Sequence, residues 1–403
     1  MTIVFGLLAA IQPLLLSDIP VPLRPSIAVN ERDFDALRND VRASTARRLG
    51  ASWREHLAYF VLQSKTFTDL EPIEPAASAV TFQQSGAIPA NVNTRIAAFL
   101  SVVKVESQDS RIQLFQNLFG ESDPLPKIEQ GYMESMRFLF EKEVEALNQP
   151  SRTRGAFIDG LYQRRGLSID TSIEASYAVS RALETIRRIS PNTKIRRVLV
   201  LGPGLDFAPR SGLFERYPPQ SYQPFAVADA LVEFKLADKS KMEIRCMDIN
   251  PAVLSFLNDF PRGKHPTLYL PPMKGEADLE HYWLQLGKHV GSRRGNVWSL
   301  GRTARRVSGE LADILTDRIP GGQDLIVATN VLVYLNKKEL LLALSNVFQA
   351  LEPNGWFIHN DTREEIESVT RLFHFEPEAA KALLLRTRQN TNQFDTYVIH
   401  KKR

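Results

Sequence analysis

A single cysteine, Cys246, in 403 residues excludes an intramolecular disulfide framework and any zinc site built on several thiolates. Histidine is scarce as well, at seven residues, and no pair is spaced as ligands on one helical face. His281 and His289 lie in an aromatic, basic stretch and read as surface or internally satisfied imidazoles, so no metal is expected. Charge of neither sign dominates. A formal net charge of +4 makes no electrostatic case for nucleic acid or an anionic membrane as partner. Long apolar runs are missing too. The most hydrophobic stretch, residues 3–16, precedes the first positive charge at Arg24, is interrupted by Gln12 and Pro13, and is too short to span a bilayer. Residues 1–29 are therefore read as a buried N-terminal arm, with a cleaved export signal as the alternative, and no membrane span is expected. What the chain does have is 43% hydrophobic residues, enough for substantial cores in a chain long enough for two or three domains.

Residues 30–150 read as a helical domain. Leu57, Phe60, Val61 and Leu62 form one apolar stripe, and Tyr132, Met136, Phe140 and Val144 another at i+4 spacing. Such stripes are the signature of core packing. Pro72, Pro75 and Pro89 mark a loop over residues 69–90. Residues 149–155 are polar and bracketed by breakers, which predicts a linker and a domain boundary there. Thr171 and Glu174 then offer a capping box for a helix carrying Tyr177, Val179, Leu183 and Ile186.

The most informative stretch is residues 196–209. Val198, Leu199, Val200 and Leu201 have the pattern of a strand covered on both faces. Gly202, Pro203 and Gly204 follow, a loop whose backbone can turn sharply and approach a ligand. A tight strand-to-helix turn is the plain alternative, because a glycine loop alone is weak evidence. If a cofactor binds here, spacing chooses between two. A dinucleotide loop wants a small sixth residue, here Phe207, and an acid about 20 residues on. The acid that closes the next strand is Asp248, 46 residues after Gly202, in Asp248-Ile-Asn-Pro251. That disfavours a nicotinamide cofactor and favours S-adenosylmethionine (SAM).

Strand and helix alternate from here. A third strand is expected at residues 306–311, followed by Asp313 and Ile314, although Val307, Leu311 and Leu315 would also suit a helix. The clearest strand is Asp324-Leu-Ile-Val-Ala-Thr-Asn330. Asn336 and Glu339 cap the next helix, which ends before Pro353-Asn-Gly355. A fifth strand covers residues 356–359, and two closing strands lie near residues 380–388 and 394–400. An insertion over residues 260–303 interrupts the alternation. Between Glu280 and Glu310 it holds no acid, while Lys288, Arg293, Arg294, Arg302, Arg305 and Arg306 accumulate beside Tyr282, Trp283 and Trp298. Such a patch reads as a solvated basic face, or as a surface that attracts an anionic substrate.

Taken in order, the glycine loop, Asp248, Asp313-Ile314, the strand at 324–330 and Leu351-Glu-Pro-Asn-Gly355 resemble the class I SAM-dependent methyltransferases. The resemblance spans residues 170–403, and Asp324-Leu-Ile-Val-Ala-Thr-Asn-Val-Leu-Val-Tyr-Leu335 is most similar to the CheR-type protein-glutamate methyltransferases. It implies an α/β, Rossmann-like sheet of seven mostly parallel strands with a closing antiparallel strand, over residues 151–403, preceded by the helical domain. It also implies SAM as cofactor and an unidentified methyl acceptor, a small molecule or a protein, with oxygen or nitrogen as nucleophile and a carboxylate among the options. Cofactor contacts then fall to Gly202, Pro203, Gly204, Asp248, Ile249, Asp313, Ile314 and Asn330, and Asn330 with Tyr334 walls the reactive methyl. The chain departs from the family pattern at Val200, where an acid is usual, and at Asp206, where a third glycine is usual. Asp206 is the candidate replacement for the missing charge. The alternative function is a non-catalytic interaction or SAM-sensing protein on a degenerate methyltransferase fold. Use of SAM and the lack of cysteine pairs point to a cytoplasmic protein, with export as the alternative.

Overall fold

In the computed structural model, residues 12–65, 69–168, 170–206, 219–259, 267–270, 275–385 and 393–403 are described. Strands β1 (Arg197–Leu201), β2 (Glu243–Asp248), β3 (Thr267–Tyr269), β4 (Ser292–Arg294), β5 (Val297–Ser299), β6 (Val307–Leu311), β7 (Gln323–Ala328), β8 (Leu351–His359), β9 (Phe375–Leu385) and β10 (Gln393–Lys402) form two sheets. The main sheet has seven strands in the order β6-β2-β1-β7-β8-β10-β9. All its pairings are parallel except the two made by β10. The strand expected at residues 306–311 is a strand, not a helix, because Val307 through Leu311 pair in register with Ile244 through Asp248.

Burial follows the period of two that strand geometry imposes. Val198 and Val200 pack into one apolar cluster with Ile186, Phe225, Ile244 and Trp356, while Leu199 and Leu201 face a second cluster with Met247, Ile326, Leu344 and Phe357. Helices Ala175–Ile189 and Gln223–Glu233 supply the first face, and Lys337–Ala350 the second. The Lys337–Ala350 helix begins with the expected box, in which Asn336 and Glu339 exchange side-chain and backbone hydrogen bonds of 3.1 and 2.8 Å.

A third cluster, including Leu57, Phe60, Phe99, Phe115, Tyr132 and Met136, is the core of the helical region, where Phe60 and Phe115 meet edge to face at 5.0 Å. Both predicted stripes contribute to it. The buried Arg95 donates to the carbonyls of Val61, Leu70 and Glu71 at 2.6 to 2.9 Å and ties down the chain ahead of Pro72.

Three local expectations need correction. The presumed loop over residues 69–90 contains the helix Pro75–Ser85, because Pro75 sits at the first turn, where its missing N–H costs nothing, and the Glu74 carboxylate caps Ala77 N–H at 2.8 Å. The presumed linker is mostly helical. Only Gln149 and Pro150 separate Ala146–Asn148 from Ser151–Arg164, since Pro150 stops one helix and precedes the next. Thr171 does not cap a helix; the following helix starts at Ala175 with no side-chain cap, and the Asp206 carboxylate takes the Ile173 N–H instead at 2.9 Å. The described residues of the insertion include the small sheet β3-β5-β4 and the helix Ala277–Gln285.

The N-terminal chain is also more involved in the sheet than a boundary at residue 30 would suggest. Leu14, Leu16, Ile19, Leu23, Ile27, Phe34 and Val41 all belong to the second cluster of the sheet. Leu14 N–H donates to the Thr316 carbonyl at 2.9 Å, and Arg318 N–H to the Gln12 carbonyl at 2.7 Å. Residues 1–11, which carry most of the apolar stretch considered as a signal, lie outside the described residues. No helix among the described residues is long and apolar enough to cross a membrane.

Candidate active site

Parallel strands present their C-terminal ends along one edge, and the sheet order reverses between β1 and β7. A crevice at such a reversal is the usual ligand site of an open α/β sheet. Here it is a cleft of about 110 Å³ that draws on every strand end at that edge from β6 to β7. Among its walls are Gly202 and Gly204 after β1, Asp248 and Ile249 at the end of β2, Asp313 and Ile314 after β6, and Asn330 and Tyr334 after β7. Eight of the expected site residues thus meet in one place. Pro203 and Asp206 do not line it, and Phe207, the residue that argued against a dinucleotide, lies outside the described residues.

Gly202 and Gly204 both adopt left-handed backbone, at φ of +59° and +62°, which accounts for glycine at both positions. A Cβ on Gly202 would stand 2.6 Å from Val331 Cγ2, so the loop needs glycine for space as well. Gly204 N–H points at Asp248 Oδ2 from 3.3 Å, and Asn250 N–H donates to Asp248 Oδ1 at 2.8 Å. Asp248 is only 7% exposed. Burial pushes its carboxyl up to about 6, against the lowering effect of the N–H groups of Asn250, Gly204 and Ile249. A carboxylate held this dry is suited to a ligand that brings its own donors. Asp313 is similar: burial raises it, Oδ1 takes Leu315 N–H at 2.9 Å, and Oδ2 is buried without a hydrogen bond among the described residues. Two buried carboxylates and a loop stripped of Cβ atoms thus share this side of the cleft.

On the other side, Asn330 is held at φ +59°, a conformation uncommon for a residue with a side chain. Asn360 imposes it: its Oδ1 accepts Asn330 N–H at 2.8 Å and its Nδ2 donates to Asn330 Oδ1 at 2.7 Å. The turn Leu332–Tyr334 is clamped from two directions. Arg363 donates to the carbonyls of Leu332 and Leu335 while paired with Asp361 at 2.7 Å, and Arg48 donates to the Tyr334 carbonyl at 2.8 Å. The Tyr334 ring meets Tyr162 edge to face at 5.6 Å.

Several wall residues escaped sequence reading. Thr45, Arg48 and Leu49 reach the cleft from the helix Glu31–Gly50, and Asp170 and Thr171 from the segment before Ala175. Asp170 is the acid beside the glycine loop, paired with Leu205 in a parallel bridge. Asp206, the expected replacement charge, is instead 1% exposed and turned toward the Ile173 backbone. Thr171 and Glu174 drew attention as a cap; the signal that Asp170 lines a site was absent, since only the bridge places it there.

The basic insertion does not reach the cleft. Arg293 donates to the carbonyls of Trp283 and Leu286, and Asp229 receives the N–H groups of Gly287, His289 and Val290 at 2.7 to 2.8 Å, pinning the segment to helix Gln223–Glu233. Cys246 is buried in β2, and burial holds its thiol well above the ordinary range. Among the described residues no group of three or more His, Cys, Asp and Glu is placed to hold a metal ion.

No family model matches the chain, and no curated protein matches it. Solved structures of low identity do. A putative class I SAM-dependent methyltransferase from Listeria monocytogenes is 11% identical, covering 87% of this chain and 88% of its own, with a TM-score of 0.32. Magnesium protoporphyrin IX methyltransferase from Synechocystis, solved with S-adenosylhomocysteine (SAH), is 7% identical over 66% of this chain and 94% of its own, at 0.31. The N-methyltransferase NodS from Bradyrhizobium japonicum, also with SAH, is 14% identical over 56% and 87%, at 0.29. Likenesses this distant carry no argument about activity. The fold rests on the sheet itself: numbered along the chain without the insertion, its strands run 3-2-1-4-5-7-6 with the seventh antiparallel, the mostly parallel, seven-stranded α/β sheet with an antiparallel closing strand expected from the sequence.

Proposed function

We propose that the protein is a SAM-dependent methyltransferase acting on an oxygen or nitrogen nucleophile, with a carboxylate the acceptor that the CheR-type resemblance favours. One observation carries the reading: the eight positions that match the methyltransferase pattern converge on one cleft at the switch point of the sheet. SAM supplies a methyl group already activated on a sulfonium. In the proposed site Asp248 accepts both ribose hydroxyls, Asp313 accepts the adenine amino group beside Ile314, and Ile249 packs on the nucleoside. Gly202 and Gly204 admit the methionine backbone, and Asp170 takes the role of the missing acid near the ammonium.

Asn330 and Tyr334 hold the acceptor in line with the breaking bond, about 3 Å from the methyl. A carboxylate acceptor is ionised at neutral pH and needs no general base. Its oxygen forms the new bond to the methyl carbon, the carbon–sulfur bond breaks with its electron pair on sulfur, and the products are a methyl ester and SAH. Calorimetry with SAM and SAH tests the foundation: Asp248→Ala should weaken binding by more than about tenfold, or 1.4 kcal/mol. No heat from well-folded protein would instead favour the non-catalytic reading, for which the departures at Val200 and Asp206 speak. Labelled methyl transferred to the acceptor should then be released by mild base; a base-stable product refutes a carboxylate acceptor and leaves the transferase standing.

A further inference from the structure

A larger cavity, of about 530 Å³, lies between the helical region and the helix Ser151–Arg164. It shares Arg48 with the cofactor cleft. The two are also joined by an aromatic relay in which Phe138, on the cavity wall, meets Tyr162 edge to face at 5.4 Å, and Tyr162 meets Tyr334 at 5.6 Å. Six arginines line it: Arg47, Arg48, Arg54, Arg137, Arg164 and Arg165. Among the described residues two carboxylates line it, Glu134 and Glu141, and both are engaged, Glu134 with Arg54 at 2.6 Å and Glu141 with Arg164 at 3.9 Å. Arg47 and Arg137 make no ion pair or hydrogen bond among the described residues.

Arg48, Arg54, Arg164 and Arg165 hold protein partners, but Arg47 and Arg137 are exposed at the concavity, which focuses their field on whatever enters. Their planar donors match the oxygens of a carboxylate or phosphate in pairs. Apart from Ser52, Ser135 and Tyr59, the rest of the wall is apolar. Phe138, Leu139 and Leu161 line the space, and Arg165 Cζ sits 4.3 Å from the centroid of the Phe138 ring, so aromatic and aliphatic surface lies beside the charges. We infer that this cavity is the acceptor chamber, and that it takes a small organic oxyanion with an apolar body of aromatic size. The inference rests on the methyltransferase reading for the word acceptor; the ligand chemistry rests on the chamber alone. It also moves the anion-attracting surface away from the basic insertion, none of whose residues from Lys288 to Arg306 lines either cavity.

The probes are 1-naphthoate, 1-naphthyl phosphate and the neutral 1-naphthamide, titrated calorimetrically into the full chain, with SAH titrated separately. At least one oxyanion should bind about tenfold or more tightly than the amide, as charge-assisted pairing requires. The oxyanion that binds more tightly identifies the anchoring group. Arg47→Gln/Arg137→Gln should erase the preference without altering SAH affinity, and Arg302→Gln/Arg305→Gln, which removes the same charge from the insertion, should preserve it. Equal binding of anion and amide, or equal losses in the two double variants, overturns the inference whether or not SAH binds. An intact anion preference in a protein that fails to bind SAH supports the anion site and removes the methyltransferase reading.

Discussion

Replacing Asp248 by asparagine should stabilise the cofactor-free protein while destroying its site. Burial holds the carboxyl at about 6 against an ordinary 3.8, so across that interval the folded chain keeps a proton that the unfolded chain releases. Stability therefore falls as pH rises from about 4 to about 6 and stays low above it. At 1.36 kcal/mol per unit, the charged form costs roughly 3 kcal/mol at pH 7.5 and about half as much at pH 5. Asparagine avoids that cost. Its single carbonyl oxygen can keep the 2.8 Å bond from Asn250 N–H but loses the contact with Gly204 N–H, which takes back about 1 kcal/mol. Urea denaturation without cofactor should thus find Asp248→Asn about 2 kcal/mol more stable than wild type at pH 7.5, with the difference largely gone at pH 5. Saturating SAM should raise the wild-type midpoint and leave the variant unmoved. A variant less stable than wild type at pH 7.5, or a difference that fails to shrink at pH 5, refutes the claim that Asp248 is held dry for a ligand.

In the wild type, SAM affinity should fall toward acid by up to about tenfold per unit below pH 6, because a protonated Asp248 can no longer accept from two hydroxyls; affinity flat between pH 5 and 7 counts against its ribose role. Gly202→Ala should cost about 1 to 2 kcal/mol through its φ of +59° and the 2.6 Å clash with Val331, and Val331→Ala should recover the steric part in chemical denaturation. Asn330→Gly should destabilise less than Asn330→Val, since only glycine relaxes at φ +59°; thermal melts rank them. Tyr334→Phe or Asn330→Ala with unchanged turnover would remove those residues from the reacting geometry.

Much of the sheet was legible because a strand buried on both faces leaves a compact run such as Val198-Leu-Val-Leu201, and because an acid that closes such a run, like Asp248, stands out against it. The Asn336 and Glu339 box was legible for the same local reason. Pro75 misled because proline reads as a breaker whether it ends a helix or opens one, and only the Glu74 cap decides between the two. Asp206 misled because proximity in sequence to the glycine loop says nothing of direction; the backbone at Ile173 claims its carboxylate. Arg48 and Asp170 were invisible because their places in the cleft depend on packing of distant segments, which no local pattern encodes. The arginine chamber was hidden likewise, its charges drawn from three separate stretches of the chain.

The anchoring of residues 12–50 on the sheet has a consequence for how the site comes into being. Thr45 and Arg48 wall a cleft whose floor, from Gly202 to Tyr334, is made more than 150 residues later in the chain. Contacts of such long sequence separation close large loops and are slow to form. The last wall of the cleft is thus assembled only when an early segment returns to a sheet completed by the final strand. A kinetic probe at Arg48 should report that return after the strands have gained protection from hydrogen exchange. A fragment that begins at residue 151 would lack both this wall and the apolar residues from Leu14 to Val41 that cover one face of the sheet, so the early segment serves the core and the cleft together.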